Sequence, residues 1–138
     1  MARIFIIDDD HDLLLIMKSV LLSKGHEPFV FASGAAFLEG LKKHTPDLVI
    51  TDIVMPGVTG GTIYKMLRKA MGPQLPIIVS SGTRMRIDRV DPLMRHMIKP
   101  VDFDELFVVI DQMLKSSGFD SQPEDDAADD WDELDMPD

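Results

Sequence analysis

The sequence predicts an α/β protein, an open, doubly wound parallel sheet of (βα)5 pattern with helices on both faces. Three observations predict it. Five short apolar runs of strand length alternate with segments of helical period between residues 3 and 115. Most of these runs are near-continuously apolar, the pattern of strands buried on both faces rather than one. The connections between the elements are only a few residues long, as βα units require.

The first strand is Arg3 to Ile7 (RIFII), ended by Asp8-Asp9-Asp10. A helix is expected from about Asp12 to Lys24, with Leu13, Ile16, Met17, Val20 and Leu21 inward and Gly25 as its C-terminal cap. His26 to Phe31 is a second strand, and Pro28 marks it as an edge. Ser33 can cap a helix running to about Lys43, with Phe37, Leu38 and Leu41 inward. The third strand, Leu48 to Ile50, is stopped by Asp52 and then by Met55-Pro56-Gly57, where Pro56 and Gly57 are expected to turn the chain. Ile63, Met66 and Leu67 lie in a helix expected from about Gly60 to Ala70. Pro76 opens a fourth strand, Ile77 to Val79, ending in Ser80-Ser81-Gly82-Thr83. Residues 84–94 are ambiguous: Met85, Ile87, Val90 and Met94 suggest a helix that Pro92 limits. A short fifth strand, Arg95 to Ile98, precedes Lys99-Pro100. Asp102 and Glu105 then stand at capping-box spacing before a last helix to about Lys115, with Leu106, Val109, Ile110 and Met113 inward.

A chain of 138 residues with 45% apolar content suits one domain with a proper core. There are no cysteines, so disulfides and thiolate metal sites are excluded. No apolar run approaches membrane-spanning length, and the expected setting is the cytoplasm. The formal charge of -10 belongs to the end of the chain. Residues 1–115 hold all 14 Lys and Arg together with 14 acids, whereas residues 116–138 hold 10 acids and no base. The expected organisation is therefore a neutral folded unit, 1–115, and an acidic, disordered tail, 116–138. Neither part argues for a nucleic-acid or membrane partner.

In such a sheet, ligands bind beyond the carboxyl ends of the strands, where strand order reverses. The first strand delivers Asp8 and Asp9 there, the third Asp52, the fourth Ser80 and Ser81, and the fifth Lys99. Carboxylates gathered this closely call for a cation. A hard divalent ion that keeps some of its waters, Mg²⁺ above all, fits an all-oxygen set. Such an ion beside a lysine and a hydroxyl can hold a phosphoryl group, and a carboxylate at its open position can attack phosphorus to give an acyl phosphate.

The order IIDDD, then DIVMPG, then SSGT after a proline-led strand, then KP, resembles the receiver domain of two-component response regulators over roughly residues 3–115. The resemblance implies a flavodoxin-like sheet of order 2-1-3-4-5 with Asp52 as phospho-acceptor. Asp9 would bind Mg²⁺ (or Mn²⁺) directly, with Asp8 beside it, and the backbone carbonyl of Val54 would be a further ligand. Ser81 takes the hydroxyl position, Ser80 being one residue early. Lys99 would contact the phosphoryl oxygens, with a cis bond before Pro100. The phosphoryl donor would be a histidine kinase or a histidine phosphotransfer protein. The chain would act as a switch rather than an enzyme, signalling through the face usually formed by the fourth helix, fifth strand and fifth helix. It would be a monomer or a phosphorylation-dependent dimer, and without a DNA-binding segment after Lys115 its downstream target is expected to be a protein.

Some residues depart from the pattern. Only 17 residues separate Ser81 from Lys99, fewer than usual, and the family's switch aromatic is His96 here. Val54 and Thr83 occupy positions that bias dephosphorylation in the family. Two other readings use the same residues. Asp8 and Asp10 form the D-x-D of a haloacid-dehalogenase-type phosphatase, and a receiver-shaped module could bind partners unphosphorylated. Asp10 and Asp12 are otherwise expected as helix caps. In the tail, Trp131, Leu134 and Met136 lie among acids like a short docking motif, which could sample the basic cluster Arg84, Arg86, Arg89 and Arg95.

Overall fold

A computed structural model of the chain describes residues 2–52, 54–55, 58–82 and 91–118. Its elements run β1 (Arg3–Ile7), α1 (His11–Ser23), β2 (Glu27–Phe31), α2 (Gly34–Lys43), β3 (Leu48–Asp52), β4 (Val54–Met55), β5 (Val58–Thr59), α3 (Gly60–Met71), β6 (Ile77–Ser81), β7 (Met94–Ile98) and α4 (Phe103–Ser117). The five long strands form a parallel sheet of order β2-β1-β3-β6-β7, which is the expected 2-1-3-4-5 with β4 and β5 set aside as a small antiparallel ribbon. Pro56, Gly57, Thr83, most of the ambiguous stretch 84–94 (residues 84–90, with Arg84, Arg86 and Arg89), and the acidic segment with Trp131, Leu134 and Met136 lie outside the described residues.

Side chains alternate across a strand, so each strand feeds two cores. Ile4, Ile6, Leu48, Ile50, Ile78 and Met97 pack with α1 and α4 on one side. Phe5, Ile7, Val49, Ile77 and Val79 pack with Phe37 of α2 and Ile63 and Leu67 of α3 on the other. This accounts for the unbroken apolar runs. The register of β1 on β3 is set at their start, where the Arg3 N–H donates to Asp47 Oδ2 at 2.7 Å and the Asp47 N–H donates to the Arg3 carbonyl at 2.7 Å. From there Ile4 pairs with Leu48 and Ile7 with Thr51, so Asp8 and Asp52 leave the sheet side by side.

The helix ends follow local chemistry. The Asp10 side chain accepts from the N–H groups of Asp12 and Leu13 and caps α1. At the far end Gly25 has φ +84, its N–H donates to the Leu22 carbonyl, and the His26 N–H donates to the Leu21 carbonyl, a Schellman closure. Ser33 caps α2 and Asp102 caps α4 through the Glu105 N–H. Two inward faces differ from expectation. On α1 the buried residues are Leu14, Met17 and Leu21, with Ile16 facing solvent; on α2 Phe37 is buried and Leu38 is exposed. Helix α4 continues two residues past Lys115, and Met94 begins β7 rather than ending a helix.

A cluster at the start of β6 and β7 holds these strands to α3. Arg68 donates through Nε to Asp91 Oδ2 at 2.7 Å, and through Nη1 and Nη2 to the carbonyls of Gly72, Leu75 and Leu93. The Tyr64 hydroxyl donates to the same Asp91 carboxylate, which also accepts from the Leu93 N–H. Burial pushes the Asp91 pKa up, but the hydrogen bonds from Arg68, Tyr64 and Leu93 outweigh it and leave it below the ordinary value of 3.8.

Two predictions test this packing. Leu21→Ala should cost roughly 2–5 kcal/mol in urea unfolding, while Leu15→Ala on the exposed side of α1 should stay within about 0.5 kcal/mol. Asp91→Ala should cost about 3 kcal/mol by stranding a mostly buried guanidinium. Because the folded-state pKa of Asp91 is depressed, its contribution is complete above 3.8 and disappears as pH falls below that value. Acid titration of stability should therefore be shallower in the variant than in the wild type.

Candidate functional site

Three strands end in carboxylate or ammonium groups at one edge of the sheet. Asp8, Asp9 and Asp52 each offer an oxygen within 4.8 Å of the others. Asp8 and Asp52 are buried and Asp9 is exposed. Asp8 is oriented twice: Oδ1 accepts from the Asp10 N–H at 2.9 Å, and Oδ2 accepts from Lys99 Nζ at 2.8 Å. Lys99 Nζ also lies 3.5 Å from Asp52 Oδ1. Burial pulls the Lys99 pKa down, but the hydrogen bond and charge of Asp8, joined by Asp52, more than reverse this. The ammonium therefore persists through neutral pH.

The remaining partners are placed by the backbone. Asp52 pairs with Ser80 across β3 and β6, and the Thr51 hydroxyl donates to the Asp52 carbonyl. Ser81 is buried one residue further on, and its Oγ lies 2.7 Å from His96 Nε2. The Lys99 N–H donates to the Ser81 carbonyl at 2.7 Å, joining the hydroxyl and the ammonium through one backbone bond. The Lys99–Pro100 bond is cis, as expected. Val54 opens β4 two residues past Asp52, and Ser80 lines a small cavity together with Asp8, Ile6 and Met17. Asp10 is engaged through Oδ1 as the α1 cap, the helix-capping role expected for it. The Arg68–Asp91–Tyr64 cluster was absent from the sequence reading. Its only signal was an aspartate directly before Pro92.

The chain matches the model of the response regulator receiver domain over residues 4–111. It belongs to that family. This receiver domain is 30% identical over 108 residues to sporulation initiation phosphotransferase F of Bacillus subtilis (strain 168), covering 75% of this chain and 86% of that protein. It is 27% identical over 124 residues to the DNA-binding transcriptional regulator NtrC of Escherichia coli (strain K12), covering 87% of this chain but only 26% of NtrC. The chain thus spans about a quarter of that relative's length. Among solved structures it resembles the response regulator TrrA of Thermotoga maritima in complex with Mg²⁺-BeF, with TM-score 0.72 and 28% identity over 82% of this chain and 99% of that one. It also resembles the receiver domain of the hybrid histidine kinase CckA, with TM-score 0.67 and 26% identity over 81% of this chain and 98% of that one. Receiver domains are phosphorylation switches, and the D-x-D phosphatase and phosphorylation-independent readings find no support.

The acidic residues of this receiver domain fit a divalent ion. All three donors are carboxylate oxygens, the preference of a hard cation, and one of them is exposed where bound water can remain. Each pair of like charges at this spacing repels by on the order of 1 kcal/mol or more, which an ion would reverse. At a hundredfold excess over its Kd, a divalent ion should stabilise the wild type by about 2.7 kcal/mol in thermal melts. Asp9→Asn should lose most of that gain while folding normally, because Asp9 is exposed.

Proposed function

We propose that Asp52 accepts the phosphoryl group, from a phosphohistidine on a histidine kinase or histidine phosphotransfer protein, with Mg²⁺ held by Asp8, Asp9, Asp52 and the Val54 carbonyl. One observation carries the reading. Asp52 ends β3 almost fully buried, beside two further carboxylates and within 3.5 Å of an ammonium. A carboxylate oxygen of Asp52 forms the new P–O bond as the P–N bond to the donor imidazole breaks, and the departing nitrogen keeps the bond's electron pair. The bound ion supplies Lewis-acid neutralisation of the phosphoryl oxygens. Lys99 needs only to turn from Asp52 toward the new oxygens, since Asp8 already holds its ammonium 2.8 Å away. Ser81 donates its hydroxyl to another of them. The chain's own role is confined to accepting, holding and losing the group, so it is a switch rather than an enzyme acting on other substrates.

The cytoplasm is the setting that suits such a donor, and no helix among the described residues is long and apolar enough to cross a membrane. Residues 1–115 form the signalling unit, with α4 reaching slightly beyond to Ser117. Its target is a protein, read through the β7–α4 side. On that side Ile98 and Val108 are exposed, 44% and 55%.

Incubation with Mg²⁺ and a small-molecule phosphodonor should add the mass of one base-labile phosphoryl group to the wild type and none to Asp52→Asn. Lys99→Ala should slow uptake by roughly a hundredfold or more, the size expected for removing a charged group aimed at the developing charge. Failure of the wild type to take up the group overturns the proposal.

A further inference from the structure

Residues 1–115 are neutral overall, yet their charges are sorted by edge. Helices between parallel strands run back against them, so each helix starts at the carboxyl edge of the sheet and ends at the amino edge. The carboxyl edge carries acids. Asp8 and Asp9 follow β1, Asp52 ends β3, and Asp104 and Glu105 stand in the first turn of α4. Lys99 among them is already paired with Asp8. The amino edge carries bases. Lys24 is the C-cap of α1, and Lys43, Lys69 and Lys115 lie in the last turns of α2, α3 and α4. The acids at this edge are engaged, Glu27 and Asp47 with Arg3 and Asp91 with Arg68. Lys24, Lys43, Lys69 and Lys115 are exposed and make no ion pair among the described residues. Bases at helix ends complement the helix dipoles, but four such ends leave this edge with a net positive charge.

Residues 119–138 hold ten acids and no base, and the chain enters them from this same edge, since Gly118 caps α4. We infer that the acidic segment 119–138 docks in cis along the amino edge, across Lys24, Lys115, Lys43 and Lys69. Charge and reach both favour this occupant. Its charge is of one sign and opposite to that of the edge. From Gly118 to Asp130 an extended chain spans up to about 40 Å, more than the three layers of the fold at about 10 Å each. The tether sets an effective concentration on the order of millimolar, so exposed ion pairs too weak to hold a separate partner suffice in cis. Leu22, 55% exposed and two residues before Lys24, offers Trp131 an apolar contact. Held at this edge, the ten acids stand away from Asp8, Asp9 and Asp52 and do not compete with them for a divalent ion.

The chain has no cysteine, so Ala128→Cys gives a single position for a nitroxide label within the acidic segment. In the full ¹⁵N-labelled chain at low salt, the nitroxide should broaden the backbone amides of Lys24, Lys43 and Lys69 and spare those of Asp9 and Asp104. The broadening should vanish near 1 M salt, where the Debye length falls to about 3 Å. Lys43→Glu with Lys69→Glu should lower the ratio of docked to free segment roughly fivefold or more, and both side chains are exposed, so the fold is retained. Mixing unmodified ¹⁵N-labelled chain with nitroxide-labelled, unenriched chain should give no broadening, because the contact is in cis. Unbroadened Lys24, Lys43 and Lys69 amides at low salt overturn the inference. Broadening centred on the carboxyl edge or on Arg95 overturns it, and so does broadening in the mixed sample, which would assign the contact to a second copy. None of these readouts involves phosphorylation, so they stand or fall apart from the acceptor role of Asp52.

Discussion

The Lys99 ammonium, held 2.8 Å from Asp8 and 3.5 Å from Asp52, is the interaction on which the site depends. Three carboxylates brought together at the end of a sheet oppose the fold that brings them together. One internal cation offsets part of that repulsion without bridging all of it. The remainder is a cluster of carboxylate oxygens that fits a divalent ion. The same ammonium is well placed to change partners, because its bond to Asp8 secures it while its longer contact with Asp52 can be given up.

The sheet makes that arrangement rigid. Burial of both faces fixes strand register, since a slip of one residue would turn every side chain into the wrong core. The Arg3–Asp47 pair of backbone and side-chain bonds sets β1 on β3 at one end, and Asp8 and Asp52 meet at the other. Fully buried Ile4, Ile6, Leu48 and Ile78 each contribute roughly 1.5–3 kcal/mol to holding this geometry. The site's charge repulsion is small against that sum.

The strands and their terminal acids were legible in the sequence because each apolar run ends abruptly in a polar group, a signal of local order. The helix faces were less so. Helix α1 (HDLLLIMKSVLLS) is apolar on most sides, so several phases of the helical period fit equally, and the structure chose Leu14, Met17 and Leu21 over Leu13 and Ile16. Leu38 beside Phe37 on α2 posed the same ambiguity, and the larger ring took the interior. Ser81 and His96 were named together as switch positions, but the bond between them was not. Their direct contact follows from the β6–β7 register, which sets them as diagonal neighbours. Arg68 and Asp91 are 23 residues apart and carry no periodic or motif signal at all.

That last pair bears on the short connection between β6 and β7. Parallel strands need a crossover of a dozen or more residues, and Ser81 and Met94 bound one at this lower limit. A connection so short has little material with which to hold two strands in register. Polar clamps stand at both ends of the strand pair. At the start of the strands Arg68 binds the carbonyls before both β6 and β7, with Asp91 and Tyr64 closing the cluster. At their ends the Lys99 N–H binds the Ser81 carbonyl and the Ser81 hydroxyl meets His96. The strand pair is therefore pinned at both ends by polar groups, with Asp91 supplied by the end of the connection itself. The upper pin is made from the same three residues, Ser81, His96 and Lys99, that would register a phosphoryl group on Asp52. The hydrogen bonds of these residues therefore hold the alignment of β7 as well as the corner of the site.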